Sequence, residues 1–430
     1  MTDPRLAASR RAVLRGLMPA AAGAGLLVGT HRAARADPVP GTSQNTNQQA
    51  TDLAALQSQP AYGRYQAGIT TPRPPAAIFV AFDVLADNPA DLRRLMQLLS
   101  ARVAFLAAGG MVPQADPLLP PVDSLVMGPH VHPDNLTITL AVGASLFDRR
   151  FGLATVKPVH LAEMAQFPND ALDPAQCHGD LMLQICGNTQ ATVIHALRDI
   201  VKHTPDLLSP RWKMDGFLPP GSDKQSTDTI RNMLGFKDGT SNIDARDQRA
   251  MEALVWVGPD RQAEPGWTHD GSYVVVRLIR NLVERWDRTP LHEQQGIIGR
   301  EKTTGAAIGL RHEQDVPDFA ADPKGHAVKL DAHIRLANPR TPGTRANLIM
   351  RRPYNYDRGI DSAGRMDMGL LFCCYQADLA AGFITVQKRL DGEALEEYIK
   401  PVGGGYFFAL PGLRDADDYY GRAMMASAQI

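Results

Sequence analysis

One order of elements, strand, helix, strand, strand, helix, strand, can be read twice along this chain, and that repetition constrains the fold more than any other feature. Residues 76–84 are a short apolar run. Asn88 then offers a helix cap, Pro89 takes the first helical position, and Leu92, Leu95, Met96, Leu99 and Val103 recur at helical spacing. Leu136, Ile138, Leu140 and Val142 alternate as a strand does, residues 181–186 supply another strand, and Asn188 caps a helix carrying Val193, Leu197 and Val201. A strand over 211–217 closes the order βαββαβ, that of a ferredoxin-like unit.

The second half repeats the theme by pattern rather than letter by letter. Strands are expected over 272–279, near Leu348, over 368–375 and over 406–410, with helices over 290–299 and 378–390. The chain therefore reads as α+β, two duplicated ferredoxin-like domains of antiparallel sheet with helices, over 76–220 and 221–430. The boundary falls between Pro219 and Asp228, where Pro, Gly, Ser and Asp cluster. With 430 residues, 44% of them hydrophobic, there is material for two cores.

Ahead of the repeats stands an address. Ser9-Arg10-Arg11 and Leu14 precede an apolar stretch over 17–28, and Ala34-Arg35-Ala36 forms an A-x-A cleavage site. This is a twin-arginine export signal over 1–36, which sends the mature chain to the periplasm. The apolar stretch is shorter than the ~20 residues of a membrane span, and the mature chain is expected to have none. That route carries proteins already folded, often with a cofactor inserted, so the signal hints at a cofactor. Residues 37–75, rich in Gln, Asn, Thr and Pro, read as a linker or loosely ordered arm.

Forty-five basic and 46 acidic residues give a net charge of -1, which leaves no electrostatic footprint for nucleic acid or an anionic membrane. A small, roughly neutral partner fits better. Cys177, Cys186, Cys373 and Cys374 form no CxxC pair and read as buried thiols. A bridge between Cys177 and Cys186 has poor geometry if both lie on or near one strand. Cys373 and Cys374 should face opposite sides of a strand.

Single motifs are weak here. Gly235-Phe236-Lys237-Asp238-Gly239-Thr240-Ser241-Asn242 is turn-rich, and an Asp-Gly pair alone is a turn. His333 stands ahead of a loop, and Arg351 follows it by eighteen positions; alone, one reads as structural and the other as a surface cation. His130-Val131-His132 is an H-x-H pair that could bind a metal, but with no acidic or cysteine partner nearby it reads as a surface loop. His178 carries the same ambiguity. Gly403 to Gly405 lacks the spacing of a dinucleotide loop and precedes an apolar strand. Trp256, Trp267, Trp286, Tyr354 and Tyr356 read first as core packing and second as electron relays.

Taken together, the G-x-x-D-G motif, His333 and Arg351 resemble the dye-decolourising peroxidases, and most closely their exported deferrochelatase/peroxidase branch. The likeness extends over 177–205, 234–242, 333–340, 366–375 and 382–411. It implies a fold of the dimeric α/β-barrel type and one haem b per chain. It implies that His333 is the iron ligand, Asp238 the distal acid and base, and Arg351 the distal cation. Gly239 and Thr240 would lie against the haem, while Leu370 and Phe372, alternating on one strand, line the distal pocket or pack in the core. Glu397 aligns with the acid that holds the proximal histidine, with a slip to Glu396 or, more weakly, Asp367 as alternatives. Pro353 stands where some other branches place an asparagine that helps activate peroxide.

The resemblance implies a peroxidase that reduces hydrogen peroxide and oxidises small organic donors. Its alternatives are a deferrochelatase that frees iron from haem with the porphyrin intact, and a haem carrier. A ferrous-iron transport system and a second copy of the chain are the implied partners. Physically, a carboxylate on the second N–H of an imidazole makes it more electron-donating toward iron. A distal carboxylate can shift a proton from one peroxide oxygen to the other, and an arginine can stabilise the charge that develops.

Overall fold

The computed structural model describes residues 56–113, 116–219 and 229–430. The export signal, the first part of the arm and most of the expected boundary segment lie outside the described residues. β1 (Ala76–Val84) is apolar except at Asp83, because it is covered on both faces over most of its length. Ile78, Val80 and Phe82 enter one core, while Ala77, Phe79 and Ala81 enter the other. The helix α1 (Pro89–Ala108) starts as expected, with the Asn88 side chain accepting from Asp91 N at 3.0 Å and Pro89 in the first turn. Its apolar stripe of Leu92, Leu95, Met96, Leu99 and Val103 is buried on the sheet.

β4 (Thr137–Gly143), β5 (Leu181–Gly187), α2 (Gln190–His203) and β6 (Leu208–Phe217) complete the first unit. The cap of α2 differs from expectation. Thr189 Oγ1 accepts from Thr192 N, while the side-chain oxygen of Asn188 accepts from Asn135 Nδ2 at 3.2 Å. Asp134 decides the matter, since its carboxylate accepts from both Thr189 N and Thr189 Oγ1.

The second unit is built from β7 (Ser272–Asn281), β9 (Tyr354–Ile360), β10 (Met366–Gln376) and β11 (Ile399–Ala409), with the two-residue β8 (Met350–Arg351) paired to β10. Strand order is β4-β5-β1-β6 in the first unit and β11-β7-β10-β9 in the second, the same order in each. β11 pairs with β4, β6 meets β9 at Phe217 and Asn355, and β7 pairs with β10, so the two sheets close on one another. At each seam the fourth strand of one unit meets the second strand of the other. The enclosed side holds Met182, Val274, Val276, Tyr354, Tyr375 and Phe407; the helices cover the other side.

Residues 56–75, expected as part of a loose arm, are packed in place where described. Gln66 Nε2 donates to Leu140 O and Leu410 O, both at 2.7 Å, and its Oε1 accepts from Leu140 N, so one amide stitches the β4–β11 seam. A polar composition hid this role, because glutamine here satisfies backbone groups at a sheet junction. All four cysteines are free and buried. Cys373 and Cys374 enter opposite cores, as alternation requires.

Gly404 sits at φ +118 beside a bulge in β11, and a Cβ there would lie 2.0 Å from Val276 O, so this glycine serves strand packing. The helix expected over 378–390 is broken at Gly382: a wide turn over Ala380–Ile384 precedes the helix Thr385–Leu390. Among the described residues no helix is long and apolar enough to cross a membrane. Residues 282–349, between β7 and β8, stand outside the repeat and carry the helix His333–Ala337.

Candidate functional site

His333 opens that short helix directly after the fully buried Ala332. Arg335 locks the turn in place by donating to Val328 O at 2.8 Å and Asp322 O at 2.7 Å. Nδ1 of His333 lies 2.8 Å from Glu393 Oε2 and 3.1 Å from Oε1. The Glu393 side chain is only 4% exposed. It stands between the helix Thr385–Leu390 and the turn Ala394–Glu397, and it caps nothing because its carboxylate is turned toward the histidine.

Burial lowers the imidazole pKa, but the Glu393 charge and hydrogen bond outweigh it and leave His333 above its ordinary value. Nε2 makes no hydrogen bond with a described residue. The His333 side chain keeps 34% of its surface accessible.

The expected partner was Glu397, and the structure corrects this. Glu397 is exposed and pairs with Arg285 at 3.3 Å. Glu396 accepts from Gly392 N, and Asp367 pairs with Arg358 at 2.9 Å. Counting back from the glycine run stopped short of Glu393 because the Ala394–Glu397 turn rotates successive acids to different sides.

Asp238 lies in a loop that pairs briefly with its own start: Arg231 bridges Lys237, and Asp238 N donates to Ile230 O at 2.7 Å. Gly239 at φ +135 lets the chain turn immediately after it. Arg351 Nη1 donates to Asp238 Oδ1 at 3.1 Å, and its Nη2 donates to Thr240 O at 2.9 Å. Asn242 clamps the Arg351 backbone in both directions, accepting from its N and donating to its O, each at 2.8 Å. Glu313 supports the loop from behind, accepting from Lys237 Nζ at 2.8 Å, Thr240 Oγ1 at 2.9 Å and Thr229 Oγ1. Burial raises the Glu313 pKa, but these donors leave it below its ordinary value.

Neither Asn242 nor Glu313 was singled out from sequence. Asn242 closes the quoted motif and could have been found there; Glu313, in a loop far along the chain, had no local signal.

The two groups of residues are electrostatically coupled. The charges of Arg351 and Asp238 both reach the His333 ring. Arg351 lies opposite Cys374 across β8 and β10, so its side chain shares a face of β10 with Phe372 and Leu370. Those two keep accessible surface while Leu371 and Cys373 between and beside them are fully buried. Arg300 and Arg340 add positive charge, each with its pKa lowered by burial. Arg340 donates to Ser241 Oγ at 3.0 Å, and its Nε is enclosed with no hydrogen-bond partner among the described residues.

The aromatic residues weighed as relays are buried. Trp267 and Trp286 donate to Val156 O and Leu234 O, and Trp256 stacks on Tyr65 with ring centroids 4.1 Å apart. A surface recess of about 770 Å³ lined by Arg64, Trp267, Tyr419 and Arg422 lies elsewhere, and His333, Asp238 and Arg351 do not line it.

Sequence comparison matches residues 66–218 to the N-terminal model of the Dyp-type peroxidases and residues 229–414 to their C-terminal model. The chain belongs to the Dyp-type peroxidase family. Among its relatives, the deferrochelatase of Escherichia coli strain K12 is 59% identical over 374 residues, 86% of this chain and 88% of that one. The deferrochelatase of Shigella sonnei is 56% identical over 97% of each chain. A Dyp-type peroxidase from Cellulomonas bogoriensis superposes with a TM-score of 0.77 at 34% identity, covering 86% of this chain and 99% of that one. DtpA from Streptomyces lividans, in a structure described as an oxyferrous complex, gives 0.78 at 33% identity over 87% and 99%. As a Dyp-type peroxidase the chain is a haem enzyme, and its α+β fold is that of the family.

Proposed function

We propose that this chain binds haem through Nε2 of His333 and reduces hydrogen peroxide with Asp238 and Arg351, oxidising small organic donors. The observation that carries the reading is the division of labour at His333. Nδ1 is held by a buried carboxylate, while Nε2 makes no hydrogen bond among the described residues and the ring feels the charges of both Asp238 and Arg351.

The residues present fit such a group. A neutral imidazole with its second nitrogen on a carboxylate is a strong iron ligand, apolar walls come from Leu370 and Phe372, and the unpartnered Nε of Arg340 suits a porphyrin carboxylate. When bound, haem supplies the iron and the electrons that cleavage of the O–O bond requires. Glu393 accepts the Nδ1–H of His333, fixing the ring orientation and enriching the ligand nitrogen. The Asp238 carboxylate takes the proton from one peroxide oxygen and returns it to the other, which leaves as water. Arg351 stays protonated and stabilises the negative charge on the departing oxygen. Asn242 and Thr240 O hold Arg351 in place for this. Pro353, in place of an asparagine, adds no donor from its own side chain.

Stopped-flow mixing of the haem-loaded protein with peroxide tests this. Asp238→Asn should slow the first spectral change by about 10²–10⁴-fold while the Soret band of the resting protein is unchanged. An unaltered rate removes Asp238 from the mechanism.

The identity to relatives named deferrochelatase favours a second activity, release of iron from haem with the porphyrin intact. Anaerobic incubation with haem and fluorescence detection of metal-free porphyrin separates it from peroxide turnover. The proposal includes export by the twin-arginine signal over 1–36. It also includes hydrogen peroxide, small organic reductants or porphyrins, a ferrous-iron transport system and a second copy of the chain as partners.

A further inference from the structure

His130-Val131-His132 lacked a third ligand in the sequence, and the fold supplies one. β2 (Gly110–Met111) pairs antiparallel with β3 (His130–Val131), setting Met111 opposite His130 and Gly110 opposite Val131. Val112 N donates to Pro129 O at 2.9 Å and continues the pairing outward. Residues directly opposite one another share a face, as do residues two apart on one strand. Val131 is 2% exposed and points into the core, so His130, His132 and Met111 project from the other side.

Four further observations bear on this face. The two imidazole centroids are 4.7 Å apart. Nδ1 of His132 is enclosed with no hydrogen-bond partner among the described residues, an arrangement that folds avoid unless something fills it. Met111 is 65% exposed on the same side, which leaves its thioether accessible to an ion. Pro129 and Pro133 flank the pair and restrict its backbone.

We propose that Met111, His130 and His132 bind one monovalent copper ion. Two imidazoles and a thioether form a soft donor set, which suits Cu(I) over the oxygen-seeking cations. No group of three or more His, Cys, Asp or Glu able to hold a metal occurs among the described residues, so a zinc site of ordinary composition is not available to compete. The ribbon shares no residue with the His333 and Asp238 site, and this inference stands apart from the peroxidase reading.

The test uses the haem-loaded protein under anaerobic, reducing conditions, with Cu(I) partitioned against bathocuproine disulfonate. Wild type should retain one Cu(I) per chain more than the His130→Asn/His132→Asn variant. Met111→Leu should weaken that binding by at least about tenfold, the loss already typical of an outer-shell partner. Copper-edge X-ray absorption should show two nitrogen neighbours and one thioether sulfur. Equal retention by wild type and the double variant overturns the proposal. So does unchanged affinity in Met111→Leu, a conservative change on an exposed residue that leaves the fold intact, or a copper spectrum dominated by cysteine sulfur.

Discussion

Nδ1 of His333 lies 2.8 Å from a buried Glu393 oxygen, whereas Glu397, one turn further along, points outward to Arg285. That pairing sets the electronic character of the proposed iron ligand. Glu393→Gln keeps a hydrogen-bond partner but removes the charge, so it should raise the ferric/ferrous potential by on the order of 60 mV, a tenfold shift for one electron. Glu397→Gln should leave it unchanged. Spectroelectrochemistry of the two variants checks this, and equal shifts would contradict the assignment.

Asn242 offers a finer probe, because its side chain hydrogen-bonds to the backbone of Arg351 and, among the described residues, to neither Asp238 nor His333. Asn242→Ala removes both hydrogen bonds that fix β8 at Arg351. Misplacing the guanidinium should slow the reaction with peroxide by up to about a hundredfold, with the resting absorption spectrum preserved. Stopped-flow rates equal to wild type would show that Arg351 is positioned by other contacts.

Glu313 predicts a pH dependence. Its folded pKa lies below the ordinary 4.5, so the stability it contributes is complete above that value and lost as pH falls through the lower folded one. At pH 7, Glu313→Gln should cost about 1.5–3 kcal/mol, the range for hydrogen bonds to a charged group. Urea unfolding at pH 7 and below pH 4 should show that difference shrinking in acid; a constant difference would mean the Glu313 charge is not what matters.

How much of this was legible follows from where each signal resides. The repeated elements could be read because strand alternation and the apolar stripe of α1 are local, and Asn88 with Pro89 marks a helix start within a few residues. The closure of the two sheets through β11–β4 and β6–β9 could not be read, since it depends on pairings between distant segments. Asp238, His333 and Arg351 were named from their spacing and the family resemblance. Glu393 was missed because a tight turn puts three acids within five residues on different sides, and sequence offers no means of choosing among them. Thr189 displaced Asn188 as a cap because of a tertiary contact with Asp134, and Gln66 looked like linker because its partners lie in both units.

The proposal rests on His333 as the residue that would hold the haem iron, with Asp238 and Arg351 acting on peroxide. Titration of the purified protein with haemin, followed by absorption, tests it most directly. Wild type should reach a sharp Soret endpoint at one haem per chain, and His333→Ala should lose the histidine-ligated spectrum while Asp238→Asn retains it. A wild-type protein that takes up no haemin, or a His333→Ala variant with the wild-type spectrum, would contradict it.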